Sequence, residues 1–185
     1  ATGGRPATIV MDKGFFRAKN ISFLLGGSDG EAHNFLISMP FTSAFAKKQV
    51  ESERKDIDCV ENTIVVNGCP LRAVTKVRAW DKEHKVYTHI YYSAKKASGI
   101  REDLYAKVAL LKQKAEAAPG KCLDDEECRK YLIIRKSEKQ ASGYTVSIRK
   151  DVLEKSLYTA GWVVLISNDI PDALQAMCIY RDKDV

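Results

Sequence analysis

The stretch ATIVMD, Ala7 to Asp12, is a short β-branched apolar run ending in an acid and followed by KGFF, which predicts a buried strand and then a turn. AKNISFLLGG reads as a short helix closed by Gly26 and Gly27. NFLISM, Asn34 to Met39, is a second buried strand, halted by Pro40. Parallel strands cannot be joined by a tight turn, so strand, helix and strand in this order imply a parallel pair with a right-handed crossover. That unit commits the chain to an α/β (α+β) fold.

After Pro40 the pattern changes. TSAFAKKQVESERKDI reads as a helix with a polar face, and NTIVV, LRAVTKVRAW and HKVYTHIYYS alternate apolar with polar residues between NGCP and DKEH turns. The expectation is an antiparallel meander with one face open to water, which places His84 and His89 at the surface. SGIREDLYAKVALLKQKAEAAPG is the clearest helix, with Ser98 as cap, Glu102 and Asp103 near its positive end, and Ile100, Leu104, Val108 and Leu111 as its core-facing stripe. KYLIIRK and GYTVSIRKD follow as two strands, VLEKSLYTA as a short helix and GWVVLIS as a buried strand. The last helix begins near NDIP, with Asn168 or Asp169 as its cap and Pro171 in its first turn.

Composition bounds the class of protein. The chain has 185 residues, 45% hydrophobic and 29% charged, enough for one domain or one and a half. No apolar run approaches the ~20 residues of a membrane span. The first residues lack both an initiating Met and the layout of a signal peptide, so they read as an internal start. Five cysteines without CxxC spacing suit reduced thiols in a cytoplasmic protein and argue against structural zinc. Cys122 and Cys128 in CLDDEEC fit no zinc template, and the acids between them suit a solvated loop or helix start. Thirty Lys and Arg against 24 Asp and Glu give +6, a mild bias toward a polyanionic partner with the basic residues scattered along the chain.

On the last helix, Leu174, Met177, Cys178 and Val185 share one face, while Tyr180 and Lys183, three apart, share another. The next position on that second face falls two residues beyond Val185.

IVMDKGFF resembles the second-aspartate motif of bacterial insertion-sequence transposases with a DDE triad, where Asp-Arg-Gly-Phe/Tyr is usual. VVLISND…IYRDKDV resembles the start of their Tyr-x2-Arg-x3-Glu-x6-Lys signature, with Tyr180 at the Tyr position, Lys183 at the Arg position and the Glu two residues past Val185. FLISMPFTSAFAKK and HIYYSAKKASGIREDLYAKVALLK are similar to the segment these proteins insert between the second Asp and the Glu.

The resemblance implies a partial RNase H-like core from residues 1–39 and 161–185, with 40–160 as a mostly antiparallel β insertion carrying one long helix. It implies DNA strand cleavage and transfer at transposon ends in a bacterial or archaeal cytosol, by an intact homodimer without membrane contact. Three carboxylates would hold two Mg²⁺ or Mn²⁺ ions ~4 Å apart, because hard cations that activate water or a 3′-hydroxyl need hard oxygen ligands. Asp12 is the one triad acid present, so the chain by itself should be inactive and bind no metal.

Lys13, in place of the usual Arg, keeps a charge for phosphate but loses the bidentate fork. Tyr180 and Lys183 would contact backbone phosphates, and Trp162 would stack on an extruded base. Without the resemblance, Asp12 suits a turn or helix cap, Tyr180 a half-buried core position, and Trp162 and Trp80 packing. Two rivals stand beside the enzyme reading. One is a non-catalytic nucleic-acid-binding or dimerisation module, and the other is an unrelated α/β domain.

Overall fold

In the computed structural model, which describes residues 7–26, 31–140 and 142–183, the opening strand–helix–strand forms as expected. Strands β1 (Thr8–Met11) and β2 (Asn34–Ser38) pair in parallel, Thr8 opposite Asn34 through Met11 opposite Ile37. Helix α1 (Ala18–Leu24) joins them. It ends where Gly26 turns to φ +99°, a conformation that costs a residue without Cβ little. Beyond Pro40, the Ser43 hydroxyl accepts from the Ala46 N–H at 3.4 Å and opens α2 (Ala44–Glu53).

Three antiparallel strands follow: β3 (Thr63–Val66), β4 (Cys69–Ala79) and β5 (Lys85–Tyr92). Asn67 and Gly68 both take positive φ, which matches the two-residue turn that suits the twist of a hairpin. Asp81 accepts from the Glu83 and His84 N–H groups and fixes the second turn.

The meander does not stand apart from the parallel pair. Strand β8 (Trp162–Ser167) lies between β2 and β5, antiparallel to both, and joins everything into one six-stranded sheet of order β1-β2-β8-β5-β4-β3. The compact units are therefore 1–93 with 162–185, and 94–161, which differs from the expected division at 40 and 160. Hydrogen bonding across β5 and β8 is what moves the boundary.

Both faces of the sheet centre are covered, which corrects the expectation of one wet face. Phe35, Ile37, Ile90, Val164 and Ile166 pack with α1 and α2, while Leu36, Tyr91 and Leu165 pack on the other side with α7 (Ala173–Asp182). Each such side chain contributes about 1.5–3 kcal/mol by leaving water. His89, expected at the surface, is 0% exposed because it lies on the sheet face covered by the segment from Ile170 to Asp172 that leads into α7. Trp80 packs edge-on to Phe16 and against Phe45, as expected.

The unit 94–161 has its own core. Helix α3 (Ala94–Ala117) starts four residues before Ser98, so that serine is interior to the helix and not its cap. Leu104, Val108, Leu111 and Ala115 form its buried stripe, and Ile100 is more exposed than the pattern suggests. They pack with α4 (Pro119–Cys122), α5 (Glu126–Tyr131), the hairpin β6 (Leu132–Lys136) and β7 (Tyr144–Ile148), and α6 (Lys150–Leu157). Asp125 caps α5 by accepting from the Cys128 N–H at 3.0 Å. Cys122 and Cys128 are buried, and all five cysteines are free thiols. No helix among the described residues is long and apolar enough to cross a membrane.

Candidate functional site

Asp12 stands at the carboxyl end of β1, where the chain leaves the sheet through a single 3₁₀ turn, Lys13–Phe15. The Phe15 N–H bonds the Asp12 carbonyl at 3.0 Å, and the Asn20 amide donates to the Phe15 carbonyl at 2.9 Å, so the turn is fixed from both ends. The Asp12 side chain makes no capping bond to this turn. Its carboxylate faces α7 instead.

Helix α7 is clamped to the sheet near both ends. Asp172, rather than Asn168 or Asp169, caps it by accepting from the Gln175 N–H at 2.7 Å, and Pro171 precedes the cap. Asn168 instead accepts from the Phe35 N–H and donates to the His33 carbonyl, both at 3.0 Å. Asp169 accepts from the Thr8 and Ser167 hydroxyls. The Tyr91 hydroxyl donates to the Ala173 carbonyl at 2.8 Å, and Arg181 donates to the Val66 carbonyl at 3.1 Å. Ala176 and Met177 are buried beneath. The Val185 part of the expected apolar face lies outside the described residues.

With α7 held this way, the Tyr180 hydroxyl donates to Asp12 Oδ1 at 2.6 Å and Lys183 Nζ donates to Asp12 Oδ2 at 3.1 Å. The two donors are 168 and 171 residues away in sequence. The Asp12 side chain is 54% exposed and that of Lys183 only 15%, so the cation is partly desolvated while the carboxylate still meets water. The Tyr180 bond, followed by the Lys183 bond, holds the Asp12 carboxyl below the usual carboxylate range. Burial, then the neighbouring Asp12, pushes the Tyr180 phenol up, which keeps it a donor. Lys183 Nζ also lies 5.0 Å from the centre of the Tyr180 ring. The result is an ionised, half-exposed carboxylate beside a cation and a phenol, suited to a phosphate or a cation at its open side.

Among the described residues there is no cluster of three His, Cys, Asp or Glu that could hold an ion, and both oxygens of Asp12 accept hydrogen bonds.

The structure thus brings together Asp12, Tyr180 and Lys183. Lys13 is exposed beside Asp12 and adds a weaker favourable charge. Trp162 is corrected: it is 7% exposed, with Tyr92 at 4.9 Å between ring centres and the Arg54 guanidinium over its ring at 5.2 Å. Its position at the start of the central strand β8 buries it, which leaves no free face for a base. Two residues escaped the sequence reading. Ser38, buried at the end of β2, lies close enough to the Tyr180 phenol to oppose the upward shift of its pKa, and nothing in NFLISM marks it. Phe15, 64% exposed next to Asp12, was legible as an aromatic in KGFF that the strand pattern does not bury. No family model, curated protein or solved structure matches the chain.

Proposed function

We propose that this chain supplies part of a phosphodiester-transfer site acting on DNA, of the kind found in DDE transposases with an RNase H-like core. The observation that carries the reading is the meeting of Asp12 with Tyr180 and Lys183 across almost the whole chain. Asp12 provides one carboxylate, kept ionised by its two donors. Lys183 and Lys13 provide positive charge, and Tyr180 a neutral donor, for the backbone phosphates of a transposon end. Mg²⁺ or Mn²⁺ enters this reading only with two further carboxylates that these residues do not include, and the chain alone is then catalytically silent.

The test uses the full-length gene product and DNA carrying its transposon ends, with Mg²⁺ or Mn²⁺ present. Asp12→Asn should lower cleavage and strand transfer by a factor on the order of 10³ or more, while DNA binding changes little. Retained strand transfer in that variant would reject the assignment. The rival module predicts DNA binding by the full-length protein with no cleavage at all.

A further inference from the structure

The net charge of this protein is not spread over it. Residues 94–161 hold fifteen Lys and Arg against ten Asp and Glu, so this unit carries +5 of the chain's +6. Within it, residues 94–128 balance, seven against seven. Residues 129–150 hold seven basic residues and one acid, Glu138. A 22-residue stretch therefore accounts for a charge equal to that of the whole chain.

The fold makes most of that stretch a two-stranded ribbon. It is the end of α5, the hairpin β6–β7 and the first residue of α6. In the ladder, Ile133 faces Ser147 and Arg135 faces Thr145, while Leu132, Ile134, Val146 and Ile148 turn into the core of the unit. The opposite face of the ribbon thus shows Arg135, Thr145 and Ser147, all exposed, with Ile133 half-buried. Lys136 and Lys139 stand exposed at the tip, where the Ser137 N–H bonds the Gly143 carbonyl. At the base of the ribbon, Arg129, Lys130 and Arg149 line a cleft of about 550 Å³ together with Glu126. The ion pairs of the unit lie elsewhere: Lys107–Glu127, Lys112–Glu116, Lys114–Asp125 and Lys155–Asp151. None among the described residues engages Arg135, Lys136 or Lys139.

From this arrangement we propose that the β6–β7 ribbon is a duplex-DNA contact that enters the major groove. A two-stranded ribbon fits that groove of B-form DNA, about 12 Å wide, whereas the deep, narrow major groove of A-form RNA does not admit it. Arg135, Thr145 and Ser147 are the side-chain types that reach base edges there, with Arg suited to guanine. The flanking bases at tip and foot fall where the two phosphate backbones run, and they position the ribbon without reading sequence. This contact is separate from Asp12 and stands whether or not the chain belongs to an enzyme.

The experiment measures binding of the 185-residue protein to a fluorescent 30-base-pair DNA duplex of mixed sequence, by anisotropy, across a salt series. The triple variant Arg135→Ala, Lys136→Ala, Lys139→Ala should bind at least ~10-fold more weakly, with a salt slope shallower by about 2–3. A matched triple on and just after α2, Lys47→Ala, Lys48→Ala, Lys55→Ala, removes the same charge and should change affinity by less than about 3-fold. Methyl green, a major-groove ligand, should compete, and netropsin, a minor-groove ligand, should not. Equal losses from the two triples, displacement by netropsin alone, or tighter binding to an RNA duplex of the same sequence would each overturn it.

Discussion

Asp12 owes its low pKa to two side chains that a single helix delivers, so each can be removed separately. Tyr180→Phe deletes the 2.6 Å bond that is the larger cause, and Lys183→Met the smaller. Asp12 titrates lower in the folded chain than in the unfolded one. The contribution of this contact is therefore complete above the ordinary Asp range and is lost as pH falls through the folded value. Carbon-detected NMR titration of the Asp12 carboxyl should show its pKa rising in both variants, more in Tyr180→Phe. An unchanged value in Tyr180→Phe would mean that the hydroxyl does not hold the carboxylate in solution.

At the level of elements, His89 shows how a strand's neighbours decide what its residues can do. It sits opposite Thr75 in the β4–β5 ladder, and the Thr75 hydroxyl lies 2.8 Å from its Nδ1. Its Nε2 is buried without a well-formed hydrogen bond, although the Ile170 backbone and, more weakly, the Asp172 carboxylate favour a charged ring. Burial wins and lowers its pKa to about 4. The unfolded chain then takes up a proton near pH 6.5 that the folded chain refuses, so stability falls as pH drops from about 7 toward 4. Between pH 7 and 4.5 the loss from this residue is about 2 kcal/mol. Urea unfolding at the two pH values should give a drop smaller by that amount in His89→Gln than in the parent. Equal drops would show that the ring is not shielded. The sequence announced the strands here, since Asn67-Gly68 and the alternation in HKVYTHIYY are local signals. It did not announce that the segment from Ile170 to Asp172, some 80 residues later, would lie beside His89, so that ring was placed at a surface it does not occupy, whereas the packing read for Trp162 from its own residues holds. The Asp12–Tyr180–Lys183 meeting was legible only because helical spacing put Tyr180 and Lys183 on one face and the resemblance named Asp12 as their partner. The ribbon's charge was legible too, but a count over the whole chain averages seven bases against one acid into a mild +6.

For the molecule as a whole, the two units meet covalently at neighbouring points. Tyr92, the last residue of β5, pairs directly with Trp162, the first of β8, so the chain leaves the sheet and returns to it at adjacent positions. Among the described residues, the clusters that cover the sheet are drawn from 1–93 and 162–185, and 94–161 has a cluster of its own. Replacing residues 93–161 by Asn-Gly would join Tyr92 to Trp162 through a two-residue turn whose twist suits an antiparallel pair. The shortened chain keeps both covered faces, the α7 clamps and the Asp12 contact, and its net charge falls to +1. It should unfold cooperatively in urea and retain a depressed Asp12 pKa by NMR, while losing the DNA affinity assigned to the ribbon. A collapsed but non-cooperative product would mean that the sheet depends on the excised unit for its folding. Cooperative unfolding with undiminished DNA affinity would instead move the nucleic-acid contact onto the Asp12 face.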